Sequence, residues 1–545
     1  MHFHYNTNQL ALEISYAYIP EEAHVVHFID GLVNQLAIDH PYVFGRPREY
    51  PLSAVLKLIL FAYTREIFTS RKIERFAAEN LPAQWLTQGR VPSHTTICRC
   101  RVDESIQDIL DAGFDGLVNY LMEQRLIDDA LFIDGTKILA NANKYTFVWK
   151  KNIIRFDEAN EAQIKELLKE TKVAYQDMTL PEGTDLTMDQ LEEVMTQLES
   201  CLEALEKEVE ETKKQSPNPA KQSRRRLKSL KHQLNERIEK KQNYEKHCHL
   251  LGDRHSYSKT DTDATFMRMK EDPMRNGQTK PGYNLQIATS NQYVLAYDIY
   301  PNPTDTRTLQ PFFETHRALI DSMTYVSMDA GYGSESIYAY LEDHHPDTIA
   351  IIPYSTMLKE QTKKWQSDEK KVFNWTYHEA DDYYIDLQGV RFNFSAYRER
   401  KNHYDEIQQF KEYKAETHTS GGERIEAAFT PKGSIRKISV NPSWEYFKAK
   451  QRALAEEETT QAIYARRKID VETAFGYLKG SLGFTRVHLR GRRKVKIELG
   501  IALLAYNINK LVLYIQEQEK IKTRDKMRGH FISGLILKVI AKMDL

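Results

Sequence analysis

The sequence predicts an α/β protein: a mixed five-stranded sheet with helices, preceded by an all-helical amino-terminal domain and interrupted by a helical hairpin and a β-rich insertion. Three observations predict it. Apolar runs of strand length alternate with helical periodicity between residues 126 and 354. A stretch rich in Glu, Lys, Gln and Leu, from about Phe156 to His247, cuts into that alternation, and an aromatic, strand-like stretch from Ser355 to Pro442 cuts into it again. With 545 residues, 41% hydrophobic and 28% charged, the chain has the length of roughly three or four modules, each large enough to bury a core. A single small binding domain is excluded.

The first module runs over residues 1–125. After the loop GRPREYP, from Gly45 to Pro51, Ser53 is placed to cap a helix whose Val55, Leu58, Ile59, Ala62 and Tyr63 share one face. Thr69 or Ser70 caps the next, and Ser93 caps a short basic helix whose His94, Thr95 and Arg99 are candidate DNA contacts in a helix-turn-helix-like bundle. The sheet begins with ALFIDGTKI, and residues 126–155 and 249–354 form the first part of its domain. Between them, residues 156–248 carry a near-heptad of Leu191, Val194, Leu198, Cys201, Leu205 and Val209, broken at SPNP, which reads as two long antiparallel helices. GYNLQIATS and YVLAYDIY, joined at Asn291 and Gln292, read as a hairpin. Helix TRTLQPFFETHRALI, strand TYVSMDAGYGS, helix SESIYAYLEDH and strand TIAIIPY follow. This order matches the ribonuclease H-like arrangement. Residues 355–442 form the β-rich insertion, 443–515 the last part of the sheet domain, and 516–545 a basic carboxyl-terminal helix.

The 76 basic and 77 acidic residues nearly cancel, but from Gln461 to Leu545 there are 18 Lys plus Arg against 7 Asp plus Glu. That asymmetry points to a polyanion. Four cysteines without C-x-x-C spacing exclude a disulfide framework and a zinc site and fit a reducing compartment. No run approaches a membrane-spanning length, so a soluble, intracellular protein is expected.

Three acids stand where this fold gathers side chains. Asp134 ends the first strand, Asp329 ends the fourth, and Glu472 lies on the long helix of KIDVETAFGYLKG. Oxygen donors suit Mg²⁺ or Mn²⁺, and three acids at one end of a sheet can hold two such ions about 3.5 to 4 Å apart for in-line phosphodiester displacement. On that helix Lys468, Glu472 and Lys479 fall near one face, with Gly476 leaving room between them. Arg486, Arg490, Arg492, Arg493, Lys494 and Lys496 follow directly and are placed to hold a phosphate backbone. Trp365 and Trp375 are candidates for stacking on an extruded base. The run Arg224 to Arg226 reads as a solvated face.

GRPREYPLSAVLKLILFAYTREIFTSRKIERFAAENLPAQWLTQG with VPSHTTICRCR, FIDGTKILANANKYTFVW, KPGYNLQIATS, SMDAGYGSE, and RRKIDVETAFGYLKGSLGFTRVHLRGRRKVKIELGIALLAYNINKL occur in this order. Together they resemble a DDE-type insertion-sequence transposase of the insertion-sequence-four class, most like the branch named insertion sequence eleven-eighty-two. The resemblance implies a metal-binding triad of Asp134, Asp329 and Glu472 with two Mg²⁺ or Mn²⁺ ions. It also implies phosphate contacts from Tyr464, Arg467, Lys468 and Lys479. Glu472 and Lys479 keep the related signature's interval; Tyr464 and Arg467 sit one residue too far upstream, and Lys468 occupies the arginine's register. The partners implied are double-stranded DNA, both terminal inverted repeats and target, and a second copy of the chain when DNA-bound, in a prokaryotic cytoplasm. Two other readings compete: a ribonuclease H-like endonuclease without strand transfer, and a transposase-derived DNA-binding protein.

Overall fold

One continuous hydrophobic core runs through the amino-terminal helices, the central sheet and the last long helix. The computed structural model describes residues 18–36, 49–175, 186–212, 218–269, 277–402 and 406–525. Most of the Gly45 to Pro51 loop, the first half of SPNP and residues 526–545 of the basic carboxyl-terminal segment lie outside them.

Among the described residues six helices open the fold: α1 (Val25–Gln35), α2 (Leu52–Thr64), α3 (Ser70–Glu79), α4 (Leu81–Thr87), α5 (His94–Arg101) and α6 (Ser105–Glu123). The predicted face of α2, from Val55 to Tyr63, is buried. Pro51, not Ser53, occupies its N-cap, because a ring with fixed φ and no N–H is tolerated where the helix leaves its first N–H groups unpaired. Thr69 stands at the N-cap of α3, and Ser93 caps α5 by accepting the Thr96 N–H at 3.3 Å.

Among the described residues the central sheet has six strands where five were expected. Strand β1 (Ala130–Leu139) lies antiparallel to β5 (Thr279–Ser290) and parallel to β7 (Tyr325–Ser327), which is parallel to β8 (Ile349–Ile351); β6 (Tyr293–Tyr300) is antiparallel to β5. The addition is β4 (Thr265–Arg268), which pairs with the start of β5 through four residues too short for sequence periodicity to register. Residues Asn291 and Gln292, both at positive φ, make the tight β5–β6 turn. The expected single helix after this hairpin is two, α10 (Leu309–Thr315) and α11 (Arg317–Asp321), and α12 (Glu335–His344) connects β7 to β8.

Between β1 and β5 projects a helical arm. Its base is the short pair β2 (Phe147–Trp149) and β3 (Ser256–Ser258), and its described residues form three helices rather than two: α7 (Lys150–Ala174), α8 (Met188–Glu211) and α9 (Pro219–Leu251). Leu191, Val194 and Leu198 of α8 share a core with Ile164 and Leu168 of α7 and Leu227, Leu234 and Ile238 of α9. After β8 and the short helices α13 (Met357–Glu360) and α14 (Lys363–Gln366) comes a second antiparallel sheet: β9 (Thr376–His378), β10 (Tyr383–Ile385), β11 (Arg391–Lys401), β12 (Ile407–Ala415) and β13 (Lys437–Val440). Trp375 is buried in that sheet's own core against Phe392, its indole N–H donating to the Glu369 carbonyl, so its ring is not presented for base stacking.

The chain returns through α15 (Pro442–Glu456), α16 (Glu458–Gly476), one π-helical stretch at Tyr477–Ser481, and α17 (Arg492–Asp525). Helix α17 is continuous across residue 516. Among the described residues only its Arg492–Gln518 segment has the length and apolarity to cross a bilayer, and its apolar stretch is mostly buried inside the protein, as in a core helix.

Candidate active site

Strands β1 and β7 pair from Ala130 with Tyr325 to Phe132 with Ser327. Asp134 and Asp329 each lie two residues beyond that last pair. Because side chains alternate with period two along extended backbone, both carboxylates continue the face that carries Phe132 and Ser327. Asp134 is not at the end of its strand, as expected, but in the middle: β1 runs on to Leu139 because β5 pairs with it as far as Gly282, although β7 has stopped.

The two acids feel each other. Burial pushes Asp134 up to about 6, the Asp329 charge adds to that, and Asp305 adds further; the Gly135 N–H, donating to Asp134 Oδ1 at 2.8 Å, and Arg467 pull it back. Asp329 Oδ1 accepts the Gly331 N–H at 2.8 Å. Under the pair lies a buried network that no sequence motif announces. Asp305 Oδ1 accepts from Asn284 Nδ2 at 2.8 Å and Gln286 Nε2 at 3.0 Å, and the buried Tyr332 hydroxyl donates to Gln286 Oε1. Burial and the charges of Asp305, Asp134 and Asp329 hold the Tyr332 hydroxyl in its neutral form. Gly135 is needed for this: a Cβ there would collide with Gln286 Nε2 and stand 2.7 Å from Asp305 Oδ1. The available signal was the polar pair Asn284 and Gln286, alternating within the stretch from Gly282 to Ala288, whose other residues are apolar, aromatic or small.

Helix α16 packs across this face. Arg466 Nη2 reaches Asp128 Oδ2 at 2.5 Å and Asn291 Oδ1 at 3.0 Å, and Asp470 accepts the Gln292 N–H at 2.8 Å, which pins the helix to the β5–β6 turn. Arg467 Nη1 lies 3.7 Å from Asp134 Oδ2, and its guanidinium sits 5.6 Å from the centre of the Tyr464 ring. Lys468 points to solvent. Tyr464 also lines a cleft of about 300 Å³ with Ala330, Ile351, Tyr354, Leu358 and Ala465, beside Asp329. Glu472 is exposed on the same helix; among the described residues no three acidic, His or Cys side chains converge closely enough to hold a metal ion. Gly476 faces open space, with nothing within 4 Å of the point where a Cβ would stand, so it leaves room for no neighbour of this chain. Lys479 belongs to the π-helical stretch that follows.

The basic segment is sewn to the end of β1. Leu139 N donates to the Thr485 carbonyl at 3.1 Å and Val487 N to the Leu139 carbonyl at 2.9 Å, while Arg490 Nε donates to the Asn141 carbonyl at 2.8 Å and Arg486 Nη2 to Asn141 Oδ1 at 3.3 Å. The fully buried Glu498 accepts the N–H groups of His488 and Leu489, each at 3.0 Å to Oε2. Arg493 pairs with Glu104 at 2.9 Å, and Arg492 and Lys496 lie 4.0 and 3.4 Å from Asp298. Among the described residues Arg486 and Arg490 have no carboxylate partner, and Lys494 is exposed. In the amino-terminal region His94 Nδ1 is 2.9 Å from Glu74, whereas Thr95 and Arg99 are exposed on α5.

Residues 254–508 match the family model described as a transposase DDE domain, and residues 13–103 match that of a transposase domain (DUF772). The first span contains Asp329, Glu472 and the basic segment, the second His94, Thr95 and Arg99; Asp134 lies outside both. No curated protein matches the sequence closely enough to add to this. Two transposase domains in this order along one chain support a DDE transposase family and indicate a transposase acting in the recombination of an insertion sequence.

Proposed function

We propose that the protein cuts DNA at the ends of an insertion sequence and joins the liberated 3′-OH ends to target DNA, as a ribonuclease H-like transposase of the insertion-sequence-four class. The observation that carries this reading is the facing pair Asp134 and Asp329, at matching positions past the paired ends of two parallel strands and beneath a helix that brings Arg467 to them. Two mutually repelling carboxylates fit a divalent cation, since Mg²⁺ at a phosphoryl site takes one or two protein carboxylates and completes its shell with water and phosphate. Asp134 and Asp329 would hold it; Glu472, exposed on α16 and not converged with them in this structure, is assigned the third carboxylate from its place in the matched DDE domain. Two such ions, when bound, activate the attacking oxygen and stabilise the leaving one.

The rest of the work is positioning and charge. The Gly135 and Gly331 N–H groups orient the two acids. Arg467, Lys479 and the unneutralised Arg486, Arg490 and Lys494 hold the backbone of the cut strand. Two ends must be handled together, so the DNA-bound form is a dimer.

Asp134→Asn, Asp329→Asn and Glu472→Gln are expected to reduce cleavage of a duplex carrying the element's end to background while duplex binding stays near wild type. Normal cleavage by any of the three contradicts the reading. Pre-cut ends bearing a 3′-OH separate it from a nuclease: joined products in Mg²⁺ or Mn²⁺ support transposition, and their absence supports an endonuclease.

A further inference from the structure

The helical arm is not used by this chemistry, and its charge is sorted. Helix α8 has nine acidic residues and one basic, whereas α9 has ten basic and three acidic. Lys231 Nζ and Glu199 pair across the two helices at 2.6 Å. At the far end of α9, Lys221, Arg224, Arg225 and Lys228 stand at i, i+3, i+4 and i+7, so they form one row. Helix geometry turns that row roughly 120° from the Leu227, Leu234 and Ile238 stripe that seals the arm's core. Lys221, Arg225 and Lys228 are exposed and Arg224 is half-buried. Among the described residues none of the four has a carboxylate partner, although the acidic helix lies alongside.

We infer that this row is a second duplex-DNA surface, separate from the candidate active site. The arm has a core of its own, so the row is not needed for packing. The arm is also anchored as a lever. Its base is closed by Val148, Ile153, Leu251 and Tyr257, and α7 is fixed to α9 by Asn160 Nδ2 donating to the Arg237 carbonyl at 3.0 Å and by the Lys241–Glu161 pair. From Lys228 to Leu251 the helix extends roughly 35 Å at 1.5 Å per residue, the length of about ten base pairs at 3.4 Å each. The row therefore stands about one helical turn of duplex from the base of the arm. Its chemistry is phosphate neutralisation without base readout, since four flexible cations in a line match a backbone rather than a base edge. The inference rests on the transposase reading only for the choice of DNA as the polyanion.

The test measures the salt dependence of binding of the full chain to a 40-base-pair duplex, for wild type and for Lys221→Ala/Arg224→Ala/Arg225→Ala/Lys228→Ala. Alanine favours helix, and circular dichroism checks that the arm is retained. The expected result is a slope of log K against log salt shallower by about 3 to 4, at about 0.9 per lost phosphate contact, with binding at physiological salt weakened at least tenfold. A helical variant with unchanged slope overturns the inference. So does a loss seen with duplex RNA or heparin but not with duplex DNA. If the variant shows the shallower slope while Asp134→Asn leaves cleavage intact, the arm surface stands and the active-site reading fails; the reverse pattern fails the arm alone.

Discussion

Arg467 Nη1 lies 3.7 Å from Asp134 Oδ2, so the one cation that reaches this carboxylate among the described residues comes from the helix that also carries Glu472. Arg467 opposes the effects of burial and of Asp329 on the acid. Arg467→Gln is therefore expected to move the Asp134 titration upward from about 6. Carboxyl carbon NMR in metal-free buffer, with Asp134→Asn identifying the resonance, reads this directly. An unchanged or lower midpoint refutes the coupling.

The raised Asp134 also sets a sign for stability. Its folded value, about 6, lies above the ordinary 3.8, so the folded state binds the proton more tightly than the unfolded chain. The stabilisation this gives is complete below pH 3.8 and is lost as pH rises through 6. Asp134→Asn mimics the protonated acid. Without metal it is expected to exceed wild type in stability at pH 7.5, by up to about 3 kcal/mol, with the difference shrinking to about 0.5 kcal/mol at pH 4. Denaturant unfolding at the two pH values checks it.

Two glycines should respond oppositely to alanine. At Gly135 the new Cβ collides with Gln286 and Asp305, whereas at Gly476 it enters open space on a helix. Gly135→Ala is expected to destabilise by about 1 to 3 kcal/mol and to lower cleavage by displacing the Asp134 backbone. Gly476→Ala should stabilise by about 0.5 to 1 kcal/mol. Thermal unfolding of both variants tests the contrast.

The buried Glu498 shapes the basic segment from behind. Glu498→Ala removes the acceptor of the His488 and Leu489 N–H groups, and hydrogen bonds to a charged group contribute about 1.5 to 3 kcal/mol each. Weaker duplex binding and faster proteolysis between Phe484 and Arg493 are expected. Full binding with an unchanged cleavage pattern would show that the segment holds its shape unaided.

Charge availability should rank the basic residues. Lys494→Ala and Arg490→Ala are each expected to lower the salt slope of duplex binding by about 0.9, while Arg493→Ala, whose cation already pairs with Glu104, should lower it less. Equal effects at all three positions would contradict that ranking.

Strand patterns and apolar runs made the central sheet and the nearness of Asp134 to Asp329 legible, because each acid follows a short apolar run, although β1 continues past Asp134. Helix α7 was not: few of its residues are buried apolar ones, and it is held partly by the polar Asn160 and Thr171, which leave little periodicity. The choice between Arg467 and Lys468 was not legible either, since neighbouring residues differ by about 100° around a helix and only the anchoring of Arg466 and Asp470 fixes that rotation. The network of Asp305, Asn284, Gln286 and Tyr332 draws on three separate segments, none carrying a sequence signature by itself.

Placing the arm between β1 and β5 has a consequence for folding order. Phe132 must meet Thr289 across 157 residues, a slow closure for a random chain because its entropy cost comes before any contact rewards it. The arm, with a core of its own, is expected to close ahead of the sheet and bring its two roots together, where Lys150 N donates to the His255 carbonyl at 2.9 Å. Once they do, the remaining gap is a short tether, and the sheet's central pair zips from there.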